Sequence, residues 1–206
     1  MSSKVIIIDY GMGNLGSVKN MLKQVGADSE VSGDLEVINK ADKILLPGVG
    51  AFDAAINTLK EKGLIAVLKK RALEDKIPFL GICLGMQLLT DGSEEGVLPG
   101  LSLIPGNTLK FDIEKLEGKK IPHMGWNTVY KGEGSPLIKD MDENLRFYFV
   151  HSYYVKVSDS KHSILKTNYG NEFDSGIQRN NIMGVQFHPE KSHKFGMKLM
   201  KNFANI

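Results

Sequence analysis

Short apolar runs alternate with helical patterns through the first part of the chain, and this alternation restricts the folds open to it. The runs are continuous rather than alternating, as in strands that are covered on both faces. Apolar residues at steps of three and four mark the helices that follow. The predicted strands lie at 5–8, 28–31, 43–46 and 78–82, and the predicted helices at 15–25, 52–59, 64–68 and from 84 onwards. This order predicts an α/β fold with an open, mostly parallel sheet.

The second half of the chain has a different pattern. Turn residues are dense between Gly92 and Gly134, and helical periodicity is lost there. A final helix is predicted around Phe195, Leu199 and Phe203, which repeat every four residues. The candidate strands between these regions are closely spaced, so we expect antiparallel hairpins added to the parallel core; they lie at 127–130, 146–150, 153–157, 164–167, 173–178 and 182–186.

Size and charge exclude several classes of protein. The 206 residues contain no repeat or linker, so we expect one domain spanning 1–206. A net charge of +2 gives no reason to expect nucleic-acid binding. No apolar stretch approaches the ~20 residues that cross a bilayer. The N-terminal sequence lacks a secretory pattern. We therefore expect a cytoplasmic protein with no membrane contact.

Cys83 is the single cysteine, which excludes an intrachain disulfide and a multi-cysteine zinc site. It stands in Gly81-Ile82-Cys83-Leu84-Gly85, between a predicted strand and a predicted helix. This is the pattern of a nucleophile elbow with sulfur in place of a serine oxygen. The helix N-terminus would favour a thiolate. The N–H of Leu84 would point at an oxyanion formed on the same centre.

A thiol nucleophile needs a base, and His188 is the best candidate among the five histidines. Pro189 favours an extended backbone at His188. Residues two apart in an extended chain point the same way, so Glu190 can fold back onto the imidazole and orient it. A His-x-Glu sequence also occurs in zinc deaminases, but their paired cysteines are absent here, and we expect no metal.

The predicted third strand ends in a second glycine-rich turn, Pro47-Gly48-Val49-Gly50. Open α/β folds keep their sites at the carboxyl edge of the sheet, so this turn, Cys83 and His188 are expected to meet there. Two glycines would let backbone N–H groups turn inward as a further oxyanion donor.

One more motif favours a different function. The segment from Gly11 to Gly16 reads G-x-G-x-x-G between a predicted strand and a predicted helix, the context of a dinucleotide-binding turn. Asp28 or Glu30 stands at about the distance expected for the residue that holds a ribose. A turn that needs glycine for steric reasons alone is the alternative.

Several separated motifs together resemble a known family. Gly81–Gln87 and Phe187–Ser192 resemble the class I, triad-type glutamine amidotransferases. Further segments narrow the resemblance to the glutaminase subunits of imidazole glycerol phosphate synthases; they are 11–15, 47–52, 122–127 and 148–153. The resemblance extends from Lys4 to Phe203.

This resemblance implies a flavodoxin-like fold with helices on both faces of the sheet, and no cofactor. It implies hydrolysis of glutamine to glutamate and ammonia through a γ-glutamyl thioester on Cys83, with His188 as base and Glu190 as its orienting acid. The remaining implied roles are these: Leu84, Val49 and Gly50 at the oxyanion hole; Gly50, Gln87, Ser152 and Tyr153 at the glutamine; and Asn14, Tyr148 and Lys191 at a partner interface.

The implied partner is a (β/α)-barrel cyclase in a heterodimer. It uses the ammonia on phosphoribulosyl-formimino aminoimidazole-carboxamide ribonucleotide, giving imidazole glycerol phosphate and an aminoimidazole-carboxamide ribotide for histidine biosynthesis. Paralogous subunits supply ammonia to other synthases, such as those that make amidino sugars of surface polysaccharides. A dinucleotide-binding module and a cysteine hydrolase or peptidase are further alternatives.

Overall fold

The computed structural model describes residues 3–116, 118–141 and 143–206. Strands and helices alternate through the first half as the sequence predicts. The elements are β1 Val5–Ile8, α1 Leu15–Gln24, β2 Ser29–Ser32, α2 Leu35–Asn39, β3 Lys43–Leu46, α3 Phe52–Glu61, α4 Leu64–Lys69, β4 Phe79–Ile82 and α5 Leu84–Leu88. A π-helical turn, Lys70–Glu74, continues α4.

The second half is built of strands followed by one long helix. Its elements are β5 Gly92–Ser93, β6 Gly106–Lys110, β7 His123–Lys131, β8 Leu145–His151, β9 Tyr153–Val157, β10 Ser163–Tyr169, β11 Asn171–Arg179, β12 Ile182–Val185 and α6 His193–Asn205. Short 3₁₀ helices lie between some of them, the last at Pro189–Lys191.

The sheet runs in the order β2-β1-β3-β4-β12-β11-β10-β7-β8, with β9, β6 and β5 attached beside β11. The first five strands in this order are mutually parallel. From β12 to β8 the pairings are antiparallel. The predicted α/β class, the mostly parallel sheet and the added antiparallel strands are confirmed.

The last strand differs from the expectation in one respect. The segment 182–186 was expected among the antiparallel hairpins, but β12 pairs antiparallel only with β11 and lies parallel to β4 on its other side. Its register sets Ile182 opposite Phe79 and Val185 opposite Ile82. Parallel neighbours end at the same edge, so β12 delivers the residues after it beside Cys83.

Helices cover both faces of the parallel strands, which explains their continuous apolar runs. Successive side chains of β1 point to opposite faces. Val5 and Ile7 join a cluster that contains residues of α1 and α6, whereas Ile6 and Ile8 join a cluster that contains residues of α2 to α5. Among the residues described, no helix is long and apolar enough to cross a bilayer.

Some elements were not predicted. Helix α2 buries only Ile38, so it has no apolar stripe; it is started instead by Asp34, whose Oδ1 accepts hydrogen bonds from the N–H groups of Glu36 and Val37. Strand β6 turns two small residues, Gly106 and Thr108, to the inside, and small residues do not give a hydrophobic alternation.

Candidate active site

Cys83 lies at the sharp turn between β4 and α5, as the elbow motif predicts. Its backbone has φ 54° and ψ −112°, a strained conformation for a non-glycine residue. The flanking glycines permit the turn. A Cβ on Gly85 would stand 1.9 Å from the Leu46 carbonyl oxygen, and one on Gly81 would stand 2.5 Å from the Gly85 carbonyl oxygen. The two glycines therefore let β3, β4 and α5 crowd together under the sulfur.

His188 follows β12 and is paired with Glu190. Its Nδ1 lies 2.8 Å from Glu190 Oε1, and both side chains are only 3% exposed. The His188 N–H donates to the Tyr148 carbonyl at 2.9 Å, which fixes the backbone from the other side. The extended conformation expected before Pro189 is present, with φ −102° and ψ 96°. Glu190 thus accepts the Nδ1 proton and leaves Nε2 for chemistry.

The charge state of His188 is set by its neighbours. Burial lowers its pKa, but Cys83 and the Glu190 carboxylate outweigh burial and raise the pKa to about 10. His188 Nε2 is buried and has no hydrogen-bond partner among the described residues. The raised pKa favours a protonated His188 near neutral pH, and a cationic imidazole is the kind of neighbour that activates a cysteine sulfur.

Cys83 and His188 line one cavity of about 360 Å³. The structure thus brings together two residues that are far apart in the sequence. The cavity lining also contains every residue expected at the oxyanion hole and the glutamine; it consists of Val49, Gly50, Cys83, Leu84, Gln87, Glu95, Pro122, Val150, His151, Ser152, Tyr153 and His188.

Two backbone segments carry candidate oxyanion donors. Leu84 is the first residue of α5, where a helix leaves its N–H groups unpaired. Opposite it lies the segment 47–51, which we call the oxyanion loop. Gly50 has φ 114° and Val49 is 47% exposed. The buried Tyr10 hydroxyl anchors the start of the loop by donating to the Pro47 carbonyl at 2.9 Å.

Sequence reasoning missed Gln186, which contacts the Cys83 sulfur. Its Nε2 donates to the Cys83 sulfur at 3.7 Å, and its Oε1 accepts from Gln87 Nε2 at 3.1 Å. Gln186 is fully buried. The signal was present: Gln186 stands two residues before His188 in an extended segment, and such residues face the same side.

Glu95 was also missed, because it lies in a region without periodicity. It lines the cavity, and its Oε2 accepts from the Phe52 N–H at 3.0 Å, at the start of α3. Next to it, the Asp53 carboxylate accepts from the N–H groups of Val97 and Leu98 at 3.0 and 3.1 Å. A carboxylate at the cavity wall can attract the ammonium group of an amino acid.

The residues expected at a partner interface lie beside the cavity. Lys191 Nζ stands 5.7 Å from the centroid of the Tyr148 ring. The Tyr148 ring meets that of Trp126 edge-on at 6.4 Å, and Trp126 stacks on His193 at 5.6 Å. Asn14 caps α1, its Oδ1 accepting from the Ser17 N–H at 3.3 Å, and α1 contacts the Pro189–Lys191 turn.

Comparison with known proteins decides the family. The model of the family described as glutamine amidotransferase class-I matches residues 6–206. The chain therefore belongs to the class I glutamine amidotransferases. The resemblance seen in the sequence implies that Cys83 is the nucleophile of such an enzyme, and Cys83 is one of the residues that line the cavity.

Relatives of this class I amidotransferase match it over nearly their whole length. The imidazole glycerol phosphate synthase subunit HisH 2 of Methanococcus maripaludis is 56% identical, covering 97% of this chain and 98% of the relative. HisH 2 of Pseudomonas aeruginosa is 48% identical, covering 98% and 99%. PurLQS from Thermotoga maritima has a similar fold, with a TM-score of 0.77 at 18% identity, covering 100% and 99%.

The glycine-rich turn of this amidotransferase lacks the features of a dinucleotide site. The third glycine of such a motif allows close packing of helix on strand, but a Cβ on Gly16 would meet nothing within 4 Å. Asp28 precedes β2, and Glu30, near the start of that strand, pairs with Lys4 Nζ at 3.0 Å. Both acidic residues lie towards the amino edge of the sheet, away from the turn.

Proposed function

We propose that this chain is the glutaminase subunit of an imidazole glycerol phosphate synthase, and that it hydrolyses glutamine through a γ-glutamyl thioester on Cys83. One observation carries the proposal: Cys83 and His188, whose Nδ1 is paired with Glu190, line a single cavity in a chain that matches HisH subunits almost from end to end.

The first half-reaction follows from the charge state of the pair. The Cys83 thiolate attacks the side-chain amide carbon of glutamine and forms a tetrahedral oxyanion, which the N–H groups of Leu84 and the oxyanion loop can stabilise. His188 Nε2 gives its proton to the departing nitrogen, so the products are ammonia, a thioester and a neutral imidazole. Glu190 keeps the ring oriented through Nδ1.

The second half-reaction reverses these proton movements. Neutral His188 takes a proton from water, the hydroxide attacks the thioester carbon, and collapse of the second tetrahedral oxyanion expels the thiolate. The new carboxylic acid loses its proton to solvent and leaves as glutamate, and the thiolate–imidazolium pair is restored. The wall formed by Gln87, Ser152 and Tyr153 is positioned to hold the substrate, and Glu95 adds a negative group that suits its ammonium.

A partner is expected because ammonia released into neutral water becomes ammonium, which is not a nucleophile. We propose that a (β/α)-barrel cyclase docks over the cavity on the face that contains Trp126, Tyr148, Lys191 and Asn14. Met124 and Trp126 are 61% and 40% exposed there, and aromatic and methionine side chains are common at interfaces. The phosphorylated nucleotide that the cyclase converts would place the complex in the cytoplasm.

We further propose that, until the cyclase and its ligand are bound, the oxyanion loop does not point a backbone N–H group at the position of the oxyanion. A missing oxyanion donor lowers the rate by about 10²–10³, enough to prevent waste of glutamine. Gly50 faces open space where its Cβ would be, and Val49 is exposed, so a peptide rotation in this loop meets little resistance.

The test measures glutamate release by the chain alone, with a cyclase subunit, and with the cyclase plus its nucleotide. We expect activity to rise with each addition and Cys83→Ala to abolish it while the fold is kept. Stimulation only by an amidino-sugar synthase would support the paralogous role instead. Nicotinamide binding, or turnover of peptides or esters but not of glutamine, would contradict the proposal.

A further inference from the structure

Two buried histidines take no part in the chemistry proposed above. His123 on β7 and His151 on β8 lie opposite each other in the strand register and are 2% and 6% exposed. His123 Nδ1 lies 2.9 Å from His151 Nε2. The His123 ring is held between Tyr169 and Phe149, stacked at 3.9 and 4.6 Å. This pair is therefore rigid, and one of its members, His151, lines the cavity.

The hydrogen bonds of this pair have one possible direction. At one end His151 Nδ1 lies 2.7 Å from the Tyr153 carbonyl, which can only accept. At the other end Asn127 Nδ2 lies 3.1 Å from His123 Nε2. The Asn127 amide is oriented by two other contacts: its Oδ1 accepts from the Thr128 N–H at 2.8 Å, and its Nδ2 donates to the Asn168 carbonyl at 3.0 Å.

Both ends therefore require the same arrangement. Asn127 donates to His123, His123 donates to His151, and His151 donates to Tyr153. Each ring must then be neutral and carry its proton on Nδ1, because an additional proton would place two N–H groups face to face. Burial lowers the pKa of His123 and of His151, which agrees with neutral rings. We call these four residues the histidine relay.

The relay ends on the wall that faces the substrate. The Tyr153 carbonyl also accepts from Gln87 Nε2 at 3.1 Å, and the same nitrogen donates to Gln186 beside the sulfur. Ser152 lies between the two ends of the His151–Tyr153 hydrogen bond, at the bend from β8 to β9. One imidazole proton thus fixes the Ser152–Tyr153 backbone and, through it, the Gln87 amide.

We propose that His151 is a positioning residue for glutamine, and that His123 acts through it by fixing the proton on His151 Nδ1. This rests on the proposed glutaminase function. The relay touches neither the Cys83 sulfur nor His188 by a hydrogen bond, so its loss acts on the affinity for glutamine rather than on the chemical steps.

Two substitutions test separately the hydrogen bonds that His151 makes through Nδ1 and through Nε2. His151→Asn keeps a donor near Nδ1 for the Tyr153 carbonyl, whereas His151→Gln keeps an acceptor near Nε2 for His123 but loses that donor. In the complex with the cyclase and its nucleotide, we expect His151→Gln to raise KM for glutamine roughly tenfold, the cost of one buried hydrogen bond. The KM of His151→Asn should be at least threefold lower than that of His151→Gln. In both variants kcat should stay within about threefold of the wild-type value.

The matched control is His162→Asn, a histidine outside the relay, for which we expect the wild-type KM. Equal KM values for His151→Asn and His151→Gln, or a fall in kcat with KM unchanged, would overturn the proposal. An inactive wild-type complex would instead disprove the glutaminase function, so the two failures are distinguishable.

The tautomers can be measured without a partner or substrate. In the chain labelled with nitrogen-15 at histidine, two-bond proton–nitrogen spectra near pH 7 should show His123 and His151 neutral and protonated on Nδ1. His123→Asn and His151→Asn variants assign the signals. A proton on Nε2 of either ring, or a cationic ring, would disprove the relay even if the KM values agree with it.

Discussion

Glu190 Oε1 accepts the Nδ1 proton of His188 at 2.8 Å, and both side chains are almost fully enclosed. The carboxylate therefore does two things: by binding Nδ1 it leaves Nε2 as the ring nitrogen that is free to react, and it stabilises the cationic ring. Neither requires Glu190 to reach the substrate.

Glu190→Gln should slow glutamine hydrolysis by the complex by about 10²-fold, within the range for loss of an effective general base. The amide keeps the shape of the carboxylate but cannot stabilise an imidazolium. Steady-state kinetics measures the loss, and thermal unfolding checks that the fold remains. Unchanged turnover would remove Glu190 from the mechanism.

The raised pKa of His188 makes stability depend on pH. Its value of about 10 in the folded chain lies above the ordinary 6.5, so the folded state holds the proton more tightly. The stabilisation is complete below about pH 6.5 and is lost as pH rises through 10. The free energy of unfolding of wild type minus that of His188→Gln should therefore shrink, on the order of a few kcal/mol, between pH 6 and pH 10.

Denaturant titrations at several pH values measure this difference. Cys83→Ala provides the control, because Cys83 is one cause of the raised pKa of His188 and its removal should flatten the pH dependence. A difference that grows with pH would contradict a cationic His188.

Gln186 should tune the nucleophile. Gln186→Glu places a carboxylate beside the sulfur, in place of the Nε2 donor that lies 3.7 Å from it. Negative charge there disfavours the thiolate, so alkylation of Cys83 by iodoacetamide near pH 7 should slow roughly tenfold or more. Gln186→Met removes the donor without adding charge and should have the smaller effect. If both variants are alkylated at the wild-type rate, Gln186 has no influence on the sulfur.

The elbow should tolerate no side chain at Gly85. In Gly85→Ala the new Cβ would stand 1.9 Å from the Leu46 carbonyl oxygen, so β3 and α5 must separate. We expect a loss of about 3 kcal/mol or more in the free energy of unfolding, or failure to fold. Urea titration of the purified variant measures it.

Gly16→Ala is the control for Gly85→Ala, because it adds the same methyl group at a position with free space around it. A Cβ there meets nothing within 4 Å, and the residue is the second of α1. Alanine should stabilise the chain by about 0.5–1 kcal/mol. A large destabilisation would mean that Gly16 has a packing role after all.

The sequence predicted the elements whose side chains face a core and missed those built by other means. The runs at 5–8 and 43–46 were recognisable because both of their faces are covered. Helix α2 depends on a cap at Asp34, and β6 on glycine and threonine, so neither has a hydrophobic period. The parallel pairing of β12 with β4 is a long-range choice that local pattern does not encode.

The site shows the same division. Cys83, His188 and Glu190 stand in motifs whose local geometry follows from neighbouring glycines or proline. Glu95 became visible only through contacts made across the fold, whereas Gln186 could have been inferred from its spacing to His188. The relay of His123 and His151 depends on strand register, which brings the two rings opposite each other.

The position of β12 between β4 and β11 has a consequence for how the enzyme folds during its synthesis. Cys83, the proposed nucleophile, directly follows β4, but its proposed base follows β12, which is made about a hundred residues later. Until then the open flank of β4 lacks its neighbour and the sulfur lacks its proton acceptor. A ribosome-bound or truncated chain without β12 would thus be unable to hydrolyse glutamine. Activity would begin only when β12 pairs with β4.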